Sequence, residues 1–427
     1  MNKESISDVV KKNLNKRYKR EARFKRLGQF SIFVASAFLV IFFFDIITKG
    51  YTAFNQSQIF LELELKSEYI DPENTGDIEE IRYGNFDEIL YQSLYKLFPE
   101  VKSRSDKRQL RELISSGAGI KLQQLVLNDL SLINTSIQMW LPLDDEIDML
   151  YKGYVDIDSD ENSRRLTNLQ ISFAEKLKKD GYVKSKFNKT LFTSGDSREA
   201  EQAGILGALV GSALMLLITF FVAFPLAVAA AIYLEEFAPK NKFIDFVEVN
   251  INNLAAVPSI IYGLLGLAVF INYFGMPRSA PLVGGLVLAL MTFPVIIITA
   301  RASLQSVPPS IRDAALGVGA SKIQTIFDHI LPLALPGILT GSIIGMARAL
   351  GESAPLIMIG MVAFVVDIPS SPLDSSAALP VQVFLWADAP ERGFVEKTSA
   401  AIMVLLAFLL VMNSLAIWLR NKYEIKW

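Results

Sequence analysis

Six blocks of apolar residues constrain this chain more than any other feature, because each is long enough to cross a bilayer. A spanning helix needs about 20 predominantly apolar residues. The first block, GQFSIFVASAFLVIFFFDIITKG, covers residues 28–50; the others lie near 203–233, 254–274, 282–301, 334–365 and 399–419. Over 427 residues the hydrophobic share is 51% and the formal net charge −2, averages that hide this segregation. The pattern is that of an integral membrane protein.

Charge sets the expected orientation. Residues 1–27 form a basic tail carrying Lys11, Lys12, Lys16, Arg17, Lys19, Arg20, Arg23, Lys25 and Arg26, and such tails stay in the cytoplasm. A cleaved signal peptide would need a shorter apolar core and a small-x-small site, which TKGYTAF does not offer; the first span is expected to be a retained anchor. Counting crossings places 51–201 outside, 234–253 and 302–333 inside, 366–398 outside, and the tail 421–427 inside. Arg420, Lys422 and Lys426 agree with that count.

Several chemistries are excluded. The chain has no cysteine and one histidine, which removes disulfides, thiolate nucleophiles and Cys-based zinc sites and leaves no basis for a Ser-His-Asp triad. The phosphate loop Gly-x4-Gly-Lys-Ser/Thr is absent from the sequence, so ATP would have to be hydrolysed by another chain. No enzyme activity, cofactor, metal site or nucleic-acid partner is expected.

The segment 51–201 reads as an extracytoplasmic α+β domain. SQIFLELELKSEYI alternates Ile59, Leu61, Leu63 and Leu65 with mostly polar residues at strand period, and TSIQMWLPL reads as a second strand. NFDEILYQSLYKLF and RRLTNLQISFAEKLKKDG read as amphipathic helices. The acidic clusters Asp144-Asp145-Glu146 and Asp156 to Asp160 fit no EF-hand loop, and are expected to be solvated surface.

Residues 307–332, in the polar interval between the fourth and fifth spans, carry a hairpin pattern. Pro308 and Pro309 start a short helix over 310–316, Gly317 and Gly319 break it, and SKIQTIFDHIL resumes it with Ile323, Ile326, Phe327 and Ile330 on one face. The result is a helix-turn-helix that another surface could grip as a lever. On pattern alone, an amphipathic hairpin lying on the membrane remains an equal reading.

The residues DAALGVGASKIQTIFDHILP are similar to the EAA loop of permease subunits in ATP-binding-cassette importers. Asp313, Ala314, Ala315, Gly319, Leu331 and Pro332 fall in register; Asp313 replaces a glutamate and His329 occupies an isoleucine position. RALGESAPL at 348–356, VPSIIYGLLGL at 257–267 and IYLEEFAP at 232–239 resemble the PstA-type permeases of phosphate importers, over roughly residues 200–420. The large insertion resembles that of an extended subset of these permeases. The resemblance implies a mostly α, six-span, type I importer permease fold over 202–420 in a bacterial plasma (inner) membrane, with the α+β domain inserted. It further implies that the chain forms half of a pathway for inorganic phosphate. The implied partners are a homologous second permease, separate ATP-binding cassette subunits seated on Asp313, Ala314, Ala315, Gly319 and Pro332, and an extracytoplasmic phosphate-binding protein. Sulfate or molybdate as cargo, and a membrane sensor with an output domain, are the competing readings; only RNKYEIKW follows Leu419.

Two charges stand out in GMARALGESAPLI. Arg348 lies 14 residues into a span starting at 334, about 21 Å along it at 1.5 Å per residue, hence within a hydrocarbon layer of about 30 Å. A charge there costs several kcal/mol against lipid and should face protein or water. Glu352, four residues on, shares its helix face and can pair with it. Together they can form a transient anion site, attractive but partly compensated; the rival reading is an ion pair that only locks helices. Gly341, Gly345, Ala349 and Ser353 leave room for either use. Arg301 is a candidate for the exit or a snorkelling anchor, and Pro258 is expected to kink the third span.

Overall fold

The computed structural model of the chain describes residues 6–73, 75–362 and 364–423. The outer ends of the expected tails, residues 1–5 and 424–427 including Lys426, lie outside them. The chain divides into two compact units, residues 1–49 and 50–427. The described residues of the first lie in one 45-residue helix, Ile6–Gly50. No proline or glycine interrupts it before Gly28, so the helix that crosses the apolar block also carries the basic segment.

The second unit begins with the inserted domain. Its sheet has the order β2-β1-β3, with β1 (Asn55–Glu64) in the centre, β2 (Ser136–Pro142) and β3 (Val183–Phe187) antiparallel to it. Ile59 lies opposite Leu141 on one side and Val183 on the other. The period of two then sends Ile59, Leu61 and Leu63 to one face, where all are buried. Helices Phe86–Leu97, Ala118–Asn128 and Asn168–Lys179 belong to the same core through Leu90, Leu94, Leu122, Ala174 and Leu177. Both expected strands and both expected amphipathic helices are present. The strand VKSKF lacks apolar alternation and was not legible as one.

The two acidic clusters part company. Asp156, Asp158 and Asp160 are exposed as expected. Asp144, Asp145 and Glu146 are not solvated surface: Glu146 is buried, Asp144 and Asp145 are partly so, because the helix Asp145–Tyr151 packs where the domain meets the membrane part. Burial, with the charges of Asp145 and Glu201 added, pushes the Asp144 carboxyl up to about 8; burial also raises Asp145, Glu146 and Glu201. At this joint Gln56 Nε2 donates to the Glu201 carbonyl at 2.8 Å, Ser115 Oγ donates to the Glu201 carboxylate at 2.5 Å, and Lys397 Nζ donates to the Ala203 carbonyl at 2.6 Å.

Among the described residues five helices are long and apolar enough to cross a membrane, six if a bent pair counts as one span. In the second unit these are Leu206–Ile232, extended to Phe237 by a wider turn, Pro281–Ser306, Lys322–Leu350 and Gly393–Lys422. The bent pair is Lys242–Ala255 with Ser259–Tyr273, at 100°. Pro258 therefore does not kink a continuous third span; it stands at the N-cap of the helix that starts at Ser259. Proline disfavours helical geometry in the residue before it, here Val257. Tyr262 bridges the break, its hydroxyl donating to the Leu254 carbonyl at 2.7 Å.

The fifth span also differs from expectation. Its helix closes at Leu350 instead of running to 365, since Gly351 follows and Pro355 starts a short helix, Ala354–Met358. That short helix seats against the third span so closely that a Cβ on Gly263 would lie 2.7 Å from Pro355 Cα. Ile359 and Met361, apolar enough to read as span, are buried here beyond the helix end. Spans two and four are joined by Thr219 Oγ1, which donates to the Gly285 carbonyl at 3.0 Å.

Candidate functional site

The 307–332 segment folds as a helical hairpin. Helix Pro309–Gly317 has Pro308 at its N-cap and Pro309 at its first position, where a proline costs no hydrogen bond. It ends where Ala320 N donates to the Ala315 carbonyl at 3.0 Å and Gly319 takes φ +93°, a left-handed conformation that glycine adopts without strain. Ser321 then caps the next helix in a reciprocal box with Gln324. From Lys322 that helix continues through a wide turn, Thr325–Ile330, directly into the fifth span at Leu331–Leu350. Pro332 follows the wide turn, which already departs from regular α-helical bonding.

The apolar residues of this hairpin do not share one face. Ile326 and Ile330 are buried, while Ile323 and Phe327 are exposed at 60% and 52%, with Leu316 and Val318 at 51% and 86%. Ile330 does the packing and His329 beside it is exposed. Asp313, Ala314 and Gly319 are exposed and Ala315 is buried. The hairpin thus anchors through one side and leaves an apolar tip uncovered within this chain.

An ionic network that sequence reasoning missed lies under the hairpin. Arg301, near the end of the fourth span, donates through Nη2 to Glu248 at 2.8 Å and lies 3.5 Å from Glu235. Gln305 donates to Glu235 at 2.8 Å. Arg312 points inward from the hairpin's first helix to Glu236, with Nη2 at 2.7 Å and Nε at 3.2 Å. The adjacent acids of YLEEF, directly after an apolar span, were the available signal.

Arg348 stands in the last turn of the fifth span, two residues before its end. Its Nε lies 3.6 Å from Glu352 Oε1, with side-chain exposures of 51% and 21%. The pair bridges the break between the span and the short helix that follows, so the two residues meet without sharing a continuous helix. A cation in the last turn also suits the helix dipole. The flanking glycines differ in use. A Cβ on Gly341 would run into Thr299 Oγ1 of the fourth span, whereas one on Gly345 would meet nothing nearer than Ile296 Cγ1 at 3.7 Å. Gly341 serves helix packing.

These elements define a polytopic helical membrane protein with a projecting helical hairpin and an inserted α+β domain. Residues 202–424 match the family described as binding-protein-dependent transport system inner membrane component, and the chain belongs to that family. Residues 11–161 match a domain of unknown function, DUF3333, in keeping with an extended form of permease. The chain is similar to the probable ABC transporter permease protein YqgI of Bacillus subtilis, at 33% identity over 40% of this chain and 58% of the relative. It is also similar to YqgH, a probable ABC transporter permease of the same organism, at 32% identity over 51% of this chain and 70% of the relative. A third relative is the phosphate transport system permease protein PstA of Xylella fastidiosa (strain 9a5c), at 30% identity over 54% of this chain and 80% of the relative. The chain thus spans under two thirds of YqgI but more of the other two. Among solved structures, the inward-facing MetNI methionine ABC transporter aligns with TM-score 0.42 and 17% identity, covering 51% of this chain and 95% of that one.

Proposed function

We propose that this chain is the transmembrane permease subunit of an ATP-driven phosphate importer. It would form half of the pathway with a homologous second permease, while separate cassette subunits hydrolyse ATP and an extracytoplasmic phosphate-binding protein delivers the anion. In this reading both termini and the 307–332 hairpin face the cytoplasm of a bacterial inner membrane, and the inserted domain faces outward. The observation that carries the coupling half is the hairpin itself. Its tip leaves Leu316, Val318, Ile323 and Phe327 uncovered, its base continues into the fifth span without a break, and its Asp313, Ala314, Ala315, Gly319 and Pro332 fall in register with the coupling motif, Asp313 standing in place of glutamate. An apolar patch on a short, well-anchored helix pair is suited to a protein partner. The cargo half is supported by the PstA relatives and by RALGESAPL.

In the mechanism that follows, ATP binding draws the cassettes together, the hairpins move with them, and the spans they continue into change the pathway's access. Arg348 and Glu352 supply the transient anion contact: the guanidinium is half exposed, and its carboxylate neighbour at 3.6 Å compensates it only in part. Arg301 suits the role of exit residue less well, because Glu248 and Glu235 already meet its charge.

The test is the ATPase activity of the purified complex. Phosphate-loaded binding protein should stimulate it several-fold, and sulfate or molybdate with the same protein should not. Equal stimulation by sulfate would assign a different cargo; no cassette subunit co-purifying would remove the permease reading.

A further inference from the structure

We propose that Arg312, which precedes the coupling motif, is a positioning residue that makes the hairpin, the second span and the end of the fourth span move as one body. The inference rests on the coupling reading above and assigns the residue through which force applied to the hairpin reaches the pathway.

Arg312 is 22% exposed and Glu236, its partner, 9%. Besides Glu236, it donates through Nη1 to the Val307 carbonyl at 2.8 Å and through Nη2 to the Leu304 carbonyl at 2.9 Å. Those two carbonyls lie at the C-terminal end of the Pro281–Ser306 helix, where carbonyls lack i+4 partners; among the described residues, Leu304's otherwise accepts only the 3.3 Å capping bond from Val307 N. One planar guanidinium therefore holds three elements, in a fork geometry that lysine's single ammonium cannot copy. The neighbouring acid extends the tie. Glu235 receives Gln305 of the fourth span and lies beside Arg301, which grips Glu248 on the Lys242–Ala255 helix. The adjacent acids Glu235 and Glu236 thus face two different arginines, one on the hairpin and one on a span. The hairpin already follows directly from the fourth span and runs into the fifth, and it packs through Ile326 and Ile330 in one cluster with Ala227 and Ala231 of the second span; Arg312 adds a directional polar tie at the hairpin's first helix, so that force on it carries the second and fourth spans with it.

Arg312→Met keeps the aliphatic stem and removes the fork, Glu236→Gln removes the acceptor's charge without touching the two carbonyls, and Arg312→Lys keeps the charge. In vesicles holding the full complex, the expected result is a fall of tenfold or more in phosphate moved per ATP for Arg312→Met and Glu236→Gln, with ATPase activity within threefold of wild type. Arg312→Lys should retain a larger share, and the double variant Arg312→Met with Glu236→Gln should lose no more than either single change. A purely structural cap would lower assembly and ATPase activity while leaving that ratio alone. A wild-type ratio in Arg312→Met, or additive losses in the double variant, would overturn the proposal. A second readout does not depend on cargo. The chain has no cysteine, so spin labels at two introduced ones, replacing Ser310 on the hairpin's first helix and Leu226 on the second span, both exposed and outside the apolar tip, report hairpin against bundle. Their distance should stay narrow and unchanged when ATP binds to the wild type, and broaden in Arg312→Met; identical distributions would refute the rigid tie. If the wild type moves no phosphate, the cargo reading fails, and the label distances still judge Arg312.

Discussion

Lys152 of the inserted domain lies 2.6 Å from Glu396 at the start of the last span, and its ammonium also lies 2.7 Å from Asp148 on its own helix. All three side chains are less than a tenth exposed. The inserted domain is therefore joined to the membrane part by a buried charge cluster, with Arg165 adding a bond from Nη2 to the Pro390 carbonyl at 2.8 Å. Asp148 Oδ1 in turn accepts from Ser57 N at 2.8 Å at the edge of β1, so the joint and the sheet share a residue.

Removing the lysine leaves two carboxylates facing each other out of water. Lys152→Ala should destabilise the protein by about 3–5 kcal/mol, measured by chemical unfolding in detergent followed through tryptophan fluorescence. Lys152→Met combined with Asp148→Asn and Glu396→Gln, which removes the charges together, should recover most of the loss.

The joint is also sensitive to pH through Asp144. Its folded pKa, pushed up to about 8 from an ordinary 3.8 by burial and by Asp145 and Glu201, means that the folded state holds a proton that the unfolded chain releases. Stability from this group is fully present below about pH 4, declines as pH rises between the two values, and stays low above 8. Asp144→Asn keeps an oxygen for the Glu146 N–H that Asp144 accepts at 3.0 Å. It should match wild type near pH 4 and exceed it at pH 8 by at least about 1.4 kcal/mol, the worth of one pKa unit. Unfolding midpoints at the two pH values decide this.

Gly319 turns the hairpin at φ +93° with open space where a Cβ would be. A β-branched residue there meets no neighbour but strains the backbone by about 1–3 kcal/mol. Gly319→Val should reduce co-purification of the cassette subunit, and Gly319→Asn should do so less, because asparagine tolerates the left-handed region. Full assembly and transport by Gly319→Val would show that the turn geometry is unimportant.

Arg348→Gln should lower the initial rate of phosphate uptake tenfold or more, whereas Glu352→Gln should chiefly slow release, since the arginine then lacks its compensating charge. Uptake kinetics over a range of phosphate concentrations separate the two effects. Unchanged uptake by Arg348→Gln would leave the pair a structural tie between the fifth span and the short helix after it.

Much of this architecture could be read from the chain, for identifiable reasons. Apolar block length marks spans because lipid leaves a crossing segment little alternative to helix, and the strict alternation at Ile59, Leu61 and Leu63 marks the central strand. The fifth span was overextended because Ile357 to Val366 is as apolar as a span; a glycine and a proline, Gly351 and Pro355, end the helix, and beyond it Ile359 and Met361 are buried in protein while Val362, Phe364 and Val366 are exposed. Asp144 to Glu146 read as surface because composition cannot show that the last span's Gly393 end packs over them. The Arg312–Glu236 tie joins residues 76 apart in the chain; the acids of YLEEF were a local signal for charge at the end of the span, but nothing local named the arginine they meet. Arg348 and Glu352 were visible as a pair, but their place at a helix end depended on that misjudged boundary.

The most direct test of the account is ATP-dependent uptake of labelled phosphate by vesicles containing the complete complex. Accumulation that requires internal ATP and is little altered by excess sulfate is the result expected of a phosphate permease. Vesicles that take up sulfate or molybdate instead, or that accumulate no phosphate while hydrolysing ATP normally, would contradict it.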